Sequence, residues 1–127
     1  DEQELILTAD AHLMEHAFIN LIDNAAKYSK APAKITIKMH LENDKIIVQV
    51  ADQGIGIPPQ DLEHIFQRFY TVDKAHSRKI GGSGLGLSIV ETIIEKHFGH
   101  ISVVSEVGEG TTFTVILPVR QLASIAK

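Results

Sequence analysis

In Ile35-Thr-Ile-Lys-Met-His-Leu-Glu-Asn-Asp-Lys-Ile-Ile-Val-Gln-Val50, apolar residues fall on every second position either side of a short polar break. Ile35, Ile37, Met39 and Leu41 line up before Glu42-Asn43-Asp44-Lys45, and Ile46, Val48 and Val50 after it. Period-two alternation marks strands with one face turned to a core, and so short a break joins antiparallel neighbours. The stretch is a β-hairpin.

On its N-terminal side, Leu5 to Thr8 has the pattern of a short strand. Asp10 can then cap a helix whose apolar face is Leu13, Met14, Ala17, Phe18, Leu21, Ile22 and Ala25, through to about Tyr28. On its C-terminal side, Asp52 leads into Gln53-Gly54-Ile55-Gly56-Ile57-Pro58-Pro59, a loop by its density of breakers. A brief helix over Gln60–Phe66 follows, with Leu62, Ile65 and Phe66 inward. Between Thr71 and Ser83 periodicity vanishes and charge rises, as in a surface loop that closes over a ligand. The spacing then predicts a helix over about Leu85–Phe98, ended by Gly99, and a second hairpin of Ile101–Glu106 and Thr111–Leu117 around Val107-Gly108-Glu109-Gly110. This order of elements defines an α+β fold: a two-layer sandwich of a mixed, largely antiparallel sheet with about three helices on one face.

The 127 residues are the size of a single domain, 1–127, with 119–127 after Pro118 as a tail. The strand-like Leu5-Ile6-Leu7, almost at the first residue, suggests a piece of a larger protein. Hydrophobic residues at 44% and charged residues at 22% exclude disordered and fibrous classes, and a net charge of −4 argues against a nucleic-acid partner. No cysteine is present, so thiolate metal sites and disulfides are excluded, which fits a cytoplasmic setting. Apolar runs are far short of a membrane span, and direct membrane contact is not expected.

Four features carry candidate chemistry. Gly81-Gly-Ser-Gly-Leu-Gly-Leu87 opens a helix; glycines at alternate positions expose backbone N–H groups to an anion, although a flexible turn would use the same residues. No Gly-Lys pair is present for a Walker A loop, and the charged segment before the glycines does not suit a dinucleotide fingerprint. Asn20, Asn24 and Lys27 share a narrow arc of the first helix beside its apolar face; amide oxygens suit a hard cation and the ammonium suits phosphate, while a solvated polar stripe is the plainer alternative. Asp52, at a strand end, serves either as a turn former or as an acceptor for an exocyclic amino group such as adenine N6. His12-Leu-Met-Glu-His16 spells an inverted zinc-peptidase motif, but nothing downstream supplies a third ligand, and the remaining histidines show no ligand spacing.

In this order the clusters resemble the ATP-binding catalytic domain of bacterial sensor histidine kinases, in the GHKL ATPase superfamily, over about Asp10 to Pro118. Asn20-Leu-Ile-Asp-Asn24-Ala-Ala-Lys27-Tyr28 is similar to the family's N box and Asp52-Gln-Gly54-Ile-Gly56-Ile57-Pro58 to its first glycine box. Phe66-Gln-Arg68-Phe69-Tyr70 is similar to its F box, and Gly82-Ser-Gly84-Leu85-Gly86-Leu to its second glycine box. The resemblance implies that Asn20 holds Mg²⁺ with Asn24 nearby, and that Lys27 and Tyr28 touch phosphates or ribose. It implies that Asp52 reads adenine N6 with Gly54, Gly56 and Ile57 around the base, and that Gly82, Gly84, Leu85 and Gly86 wrap the triphosphate under a lid. Thr111 or Thr112, the latter counted among the nucleotide-contacting positions, assists Asp52. One departure stands out: many members carry Arg where this chain has Thr71, so Arg78, Lys79 or Arg68 has to supply the phosphate-binding cation.

The resemblance further implies transfer of the ATP γ-phosphate to a histidine on a dimerisation domain absent from this chain, and relay to a response regulator. A monomeric isolated domain within a homodimeric full-length protein is the matching assembly. The alternatives are a serine kinase of the anti-sigma-factor type, which the F box disfavours, and an ATP-sensing module without transfer.

Overall fold

The first hairpin forms as its alternation requires. In a computed structural model that describes residues 10–27, 34–67 and 86–118, β1 (Ile35–Glu42) pairs antiparallel with β2 (Lys45–Asp52), Met39 opposite Val48 and Ile37 opposite Val50. Asn43 and Asp44 make the turn with φ of 51° and 62°. Both central residues left-handed is the turn that matches strand twist, and Asn and Asp tolerate it best after glycine.

The second hairpin joins β3 (His100–Glu106) to β4 (Gly110–Pro118), and the sheet order is β1-β2-β4-β3, antiparallel throughout. The strand expected at Leu5–Thr8, which would make the sheet mixed, lies outside the described residues. Two longer helices, α1 (Ala11–Lys27) and α3 (Gly86–Lys96), pack against one another and on one face of the sheet; along the chain from β2 to α3, α2 (Pro59–Leu62) is a single turn that starts on Pro59, and the stretch expected to stay helical to Phe66 continues as turns. The core is the period-two face of the sheet (Ile46, Val48, Val50, Ile101, Phe113, Val115, Leu117) against the 3.6-period faces of α1 (Ala17, Leu21, Ala25) and α3 (Val90, Ile93, Ile94). Phe66 meets Phe113 edge-on, ring centroids 6.2 Å apart. On the other face lie Lys38, Gln49, Thr114 and Ser102, as expected of an antiparallel sheet covered on one side. Ile37, Met39 and Leu41 point to the helix side but stay 46–59% exposed, because β1 is the edge of the described sheet and lies beyond the full cover of the helices.

One end of the helix layer is tied by side-chain chemistry that joins the start of α1 to the end of α3. Asp10 caps α1: its Oδ1 accepts the Leu13 N–H at 3.1 Å, and its own N–H donates to His97 Nε2 at 3.0 Å. His97 is buried, and its Nδ1 contacts the Ile93 carbonyl at 2.9 Å. A carbonyl only accepts and an N–H only donates, so the imidazole is neutral with its hydrogen on Nδ1. The end of α3 differs from the expected glycine stop. Gly99 N–H bonds to Ile94 O and Phe98 N–H to Glu95 O, a Schellman ending in which the left-handed residue is Phe98, at φ 62°. Gly99 is needed for a different reason: a Cβ there would lie 2.5 Å from the Ile116 carbonyl.

Two outcomes are expected in urea unfolding. Phe98→Gly should stabilise the fold by about 1 kcal/mol, since glycine adopts this conformation without a Cβ penalty; a loss would show that the ring's contacts outweigh the strain. His97→Leu should cost about 2 kcal/mol by orphaning the Asp10 N–H and Ile93 carbonyl, and an unchanged midpoint would show that water replaces the imidazole.

Candidate functional site

Asp52 is the last residue of β2 and continues the helix-facing row of Ile46, Val48 and Val50. It is half-buried, and its Oδ1 accepts two backbone N–H groups, from Gly54 at 2.8 Å and Thr111 at 3.3 Å. Its other oxygen takes no hydrogen bond from any described residue. The carboxyl pKa is raised above its ordinary value because burial disfavours the charge more than the Gly54 and Thr111 N–H groups favour it. The result is a fixed carboxylate with one acceptor oxygen available on the helix side of the sheet.

The loop after Asp52 is pressed against the β3–β4 hairpin. Ile57 N–H donates to Ser105 Oγ at 2.7 Å, and Gly108 N–H to the Ile55 carbonyl at 3.0 Å. Gly54 and Gly56 are buried, and Gly56 has φ 77° with the Glu106 carbonyl where a Cβ would stand. Gly110, at φ 129°, likewise leaves no room beside the Asp52 carbonyl. Glycine at 56 is thus demanded by the protein's own backbone, independently of any ligand.

Thr111 and Thr112 are separated by the register. Ala51 pairs with Thr112, which turns Thr112 to the open face with Ala51 and Val104, and Thr111 falls on the face of Asp52 and Phe113. Of the two threonines, Thr111 is therefore the neighbour of Asp52, because the pleat alternates.

Asn20 is half-buried on α1, and its Nδ2 donates to the His16 carbonyl at 3.0 Å. This fixes the amide, since only the NH₂ can donate. Its Oδ1 is then presented at the start of α3, where a Cβ on Gly86 would sit 3.6 Å away in ordinary contact. An amide oxygen that takes no hydrogen bond from the described residues, beside a helix N-terminus, combines a hard-cation ligand with an anion-favouring field. Asn24 lies one turn on, half-buried, with no side-chain hydrogen bond among the described residues. Lys27 ends α1, and nothing further is described of its side chain. Tyr28, Arg68, Arg78, Lys79, Gly82, Gly84 and Leu85 lie outside the described residues. His12, Glu15 and His16 all stand exposed on α1, and no group of three or more His, Asp or Glu side chains among the described residues could hold a metal ion.

Sequence reasoning passed over Ser105. Its signal was parity: Ser105 follows Ile101 and Val103 at two-residue steps, so a hydroxyl stands on the core face of β3.

Comparison with known proteins gives the family of the chain. Residues 9–121 match the family described as histidine kinase-, DNA gyrase B-, and HSP90-like ATPase. The signal transduction histidine-protein kinase ArlS of Staphylococcus aureus is 49% identical over 105 residues, 83% of this chain and 23% of that protein. Among solved structures, the mycobacterial sensor histidine kinase MprB superposes with TM-score 0.79 at 32% identity, over 88% of this chain and 76% of that one. The catalytic domain of histidine kinase ThkA gives 0.79 at 32%, over 94% and 74%.

The chain belongs to the histidine kinase-, DNA gyrase B- and HSP90-like ATPase family, and within it to the ATP-binding catalytic domains of histidine kinases. It spans about a quarter of the length of the curated relative it matches. Among the described residues no helix is long and apolar enough to cross a membrane.

The pKa of Asp52 has a consequence for stability. A folded-state value above the unfolded one means that the folded chain holds the proton more tightly. The associated stabilisation is full below the ordinary carboxylate range and is lost as pH rises through the raised value. Ionised Asp52 is therefore a liability to the fold at neutral pH. Asp52→Asn, whose Oδ1 keeps both backbone N–H bonds, should melt at or above the unsubstituted protein at neutral pH, with the gap narrowing in acid; a lower melting temperature at neutral pH would contradict this.

Proposed function

We propose that this chain binds Mg²⁺-ATP on the helix side of its sheet and presents the γ-phosphate to a histidine carried by a separate dimerisation domain of a longer, cytoplasmically oriented sensor kinase. A response regulator's aspartate then receives the phosphoryl group. The observation that carries this is Asp52: a half-buried carboxylate with one oxygen taken up by Gly54 and Thr111, and the other left to accept from a ligand. An exocyclic amino group such as adenine N6 satisfies that oxygen, whereas the guanine carbonyl would face it acceptor to acceptor.

The remaining roles follow from chemistry and position. Asn20 Oδ1, with Asn24 one turn on, is suited to Mg²⁺, which takes hard oxygen ligands and substrate phosphates. The metal would neutralise charge on the phosphates. The glycines of Gly82-Ser-Gly84-Leu85-Gly86, which lead in sequence to α3, suit a triphosphate because they carry no Cβ to keep it from backbone N–H groups, and Lys27, with Tyr28, adds charge and a hydroxyl. Arg78, Lys79 or Arg68 stands in for the cation that Thr71 does not provide. Gly54, Gly56 and Ile57 shape the base end. Phosphoryl transfer asks for positioning and charge neutralisation more than covalent help, and these groups supply both. The acceptor imidazole gains the N–P bond as the bond to the ADP oxygen breaks.

Calorimetry tests the site. Mg²⁺-dependent ATP binding is expected, with GTP much weaker. In Asp52→Asn the amide oxygen takes the two backbone N–H groups and the NH₂ faces the adenine amino group donor to donor, so affinity should fall at least about 100-fold. Retained ATP affinity in that variant would overturn the assignment. Supplying a histidine-bearing dimerisation domain should yield acid-labile phosphate, and ATP binding without it would reduce the chain to a nucleotide sensor.

A further inference from the structure

Across the end of the sheet, Asp52, Thr111 and Ser105 form one row on the helix side. Ser105 pairs with Thr111, and Thr111 precedes Thr112, whose antiparallel partner is Ala51, so it falls beside Asp52. Ser105 Oγ has three polar neighbours: Ile57 N–H at 2.7 Å, the Gly110 carbonyl at 3.0 Å and Thr111 Oγ1 at 2.8 Å. The backbone N–H only donates and the carbonyl only accepts, while a hydroxyl has a single hydrogen. One arrangement makes all three bonds: Ser105 donates to Gly110, and Thr111 donates to Ser105. The Thr111 hydroxyl hydrogen is thereby consumed within the protein, and only lone pairs remain on its oxygen. Asp52, whose Oδ1 takes the Thr111 backbone N–H, is also an acceptor. Thr111 is 6% exposed, so its hydroxyl cannot turn to water for another partner without breaking the row.

We propose that Ser105 is a specificity-determining positioning residue: by taking the Thr111 hydrogen it leaves the Asp52–Thr111 pair able only to accept, so the base edge held there must donate through an exocyclic amino group. This rests on the reading of Asp52 as the base-contacting residue, and adds to it a reason why the second polar group of the pair cannot adapt. A freely rotating threonine hydroxyl could donate to a 6-oxo purine as readily as it accepts from a 6-amino one; the Ser105 bond removes that option, whether the base is reached directly or through a bridging water. Ser105 has a second task, since its bond to Ile57 N–H holds the Gly54–Ile57 loop. Loosening that loop is separated from the hydroxyl effect by the Thr111→Val background, in which a loop effect persists and the hydroxyl effect does not.

The test is calorimetric titration of Mg²⁺-ATP and Mg²⁺-ITP into the unsubstituted protein, Ser105→Ala, Ser105→Thr, Thr111→Val and the Ser105→Ala/Thr111→Val double variant. ATP should be preferred by the unsubstituted protein. Ser105→Ala should lower the ATP:ITP preference roughly fivefold, the worth of one hydrogen bond, beyond any loss common to both. Ser105→Thr should restore it, and Ser105→Ala should add nothing in the Thr111→Val background, because it acts through that hydroxyl. Equal weakening of ATP and ITP in Ser105→Ala, or the same drop in preference without the Thr111 hydroxyl, would overturn the proposal and leave Asp52 untouched. Absence of any ATP preference in the unsubstituted protein would remove the base-site reading as well. Should Ser105→Ala not fold, Thr111→Ser against Thr111→Val decides: the serine should keep the preference and the valine lose it, and equal preference in both would overturn the proposal.

Discussion

The antiparallel register of β2 on β4 sets Val48 opposite Val115 and Val50 opposite Phe113, and one further step of the same pleat sets Asp52 beside Thr111. Core and site are thus a single alternation, apolar for most of its length and polar at its end. A slip of one residue would send Phe113 and Val115 to the open face and bring Thr112 to Asp52 in place of Thr111. The hydrophobic rows make that slip costly. Burying Phe113, Val115 and Leu117 almost completely is what holds a hydroxyl and a carboxylate in place two residues further along.

The polar groups of the candidate site share a form of preparation. Asp52 commits one oxygen to Gly54 and Thr111 and keeps the other, Asn20 commits its NH₂ to His16 and keeps its oxygen, and Thr111 commits its hydrogen to Ser105 and keeps its lone pairs. In each case the fold takes up one half of a side chain's hydrogen-bonding capacity, and what is left over among the described residues can only accept. A surface of acceptors selects cations and amino groups. The raised pKa of Asp52 is the thermodynamic trace of that arrangement, a charge held where burial disfavours it.

Much of this could be read from the sequence. Alternation from Ile35 to Val50 gave the hairpin and its turn at Asn43-Asp44, and Asp10 announced the α1 cap. Asn20, Asp52 and the glycines stood out because each is a poor choice for its element unless something else needs it. Parity alone separates Thr111 from Thr112, since Thr111 steps by two to Phe113; the turn between β3 and β4 had obscured it. Gly99 marks the end of α3 in the sequence, but spacing does not show that Phe98 is the left-handed residue there, nor that Gly99 answers a close approach by β4. Period-two patterns name a face but not how far the helix layer extends over it, so the exposure of Ile37, Met39 and Leu41 was not legible. Nor could spacing reveal His97, although its place one turn after Ile93 puts it on the buried side of α3.

That histidine has a kinetic meaning. Asp10 N–H lies before the first turn of α1, where backbone amides ordinarily exchange with solvent through fraying, yet it is held by an imidazole anchored in the final turn of α3. The start of one helix and the end of the other, 87 residues apart in the chain, therefore open as one cooperative unit. Protection of the Asp10 amide against deuterium exchange therefore reports on the closure of α3.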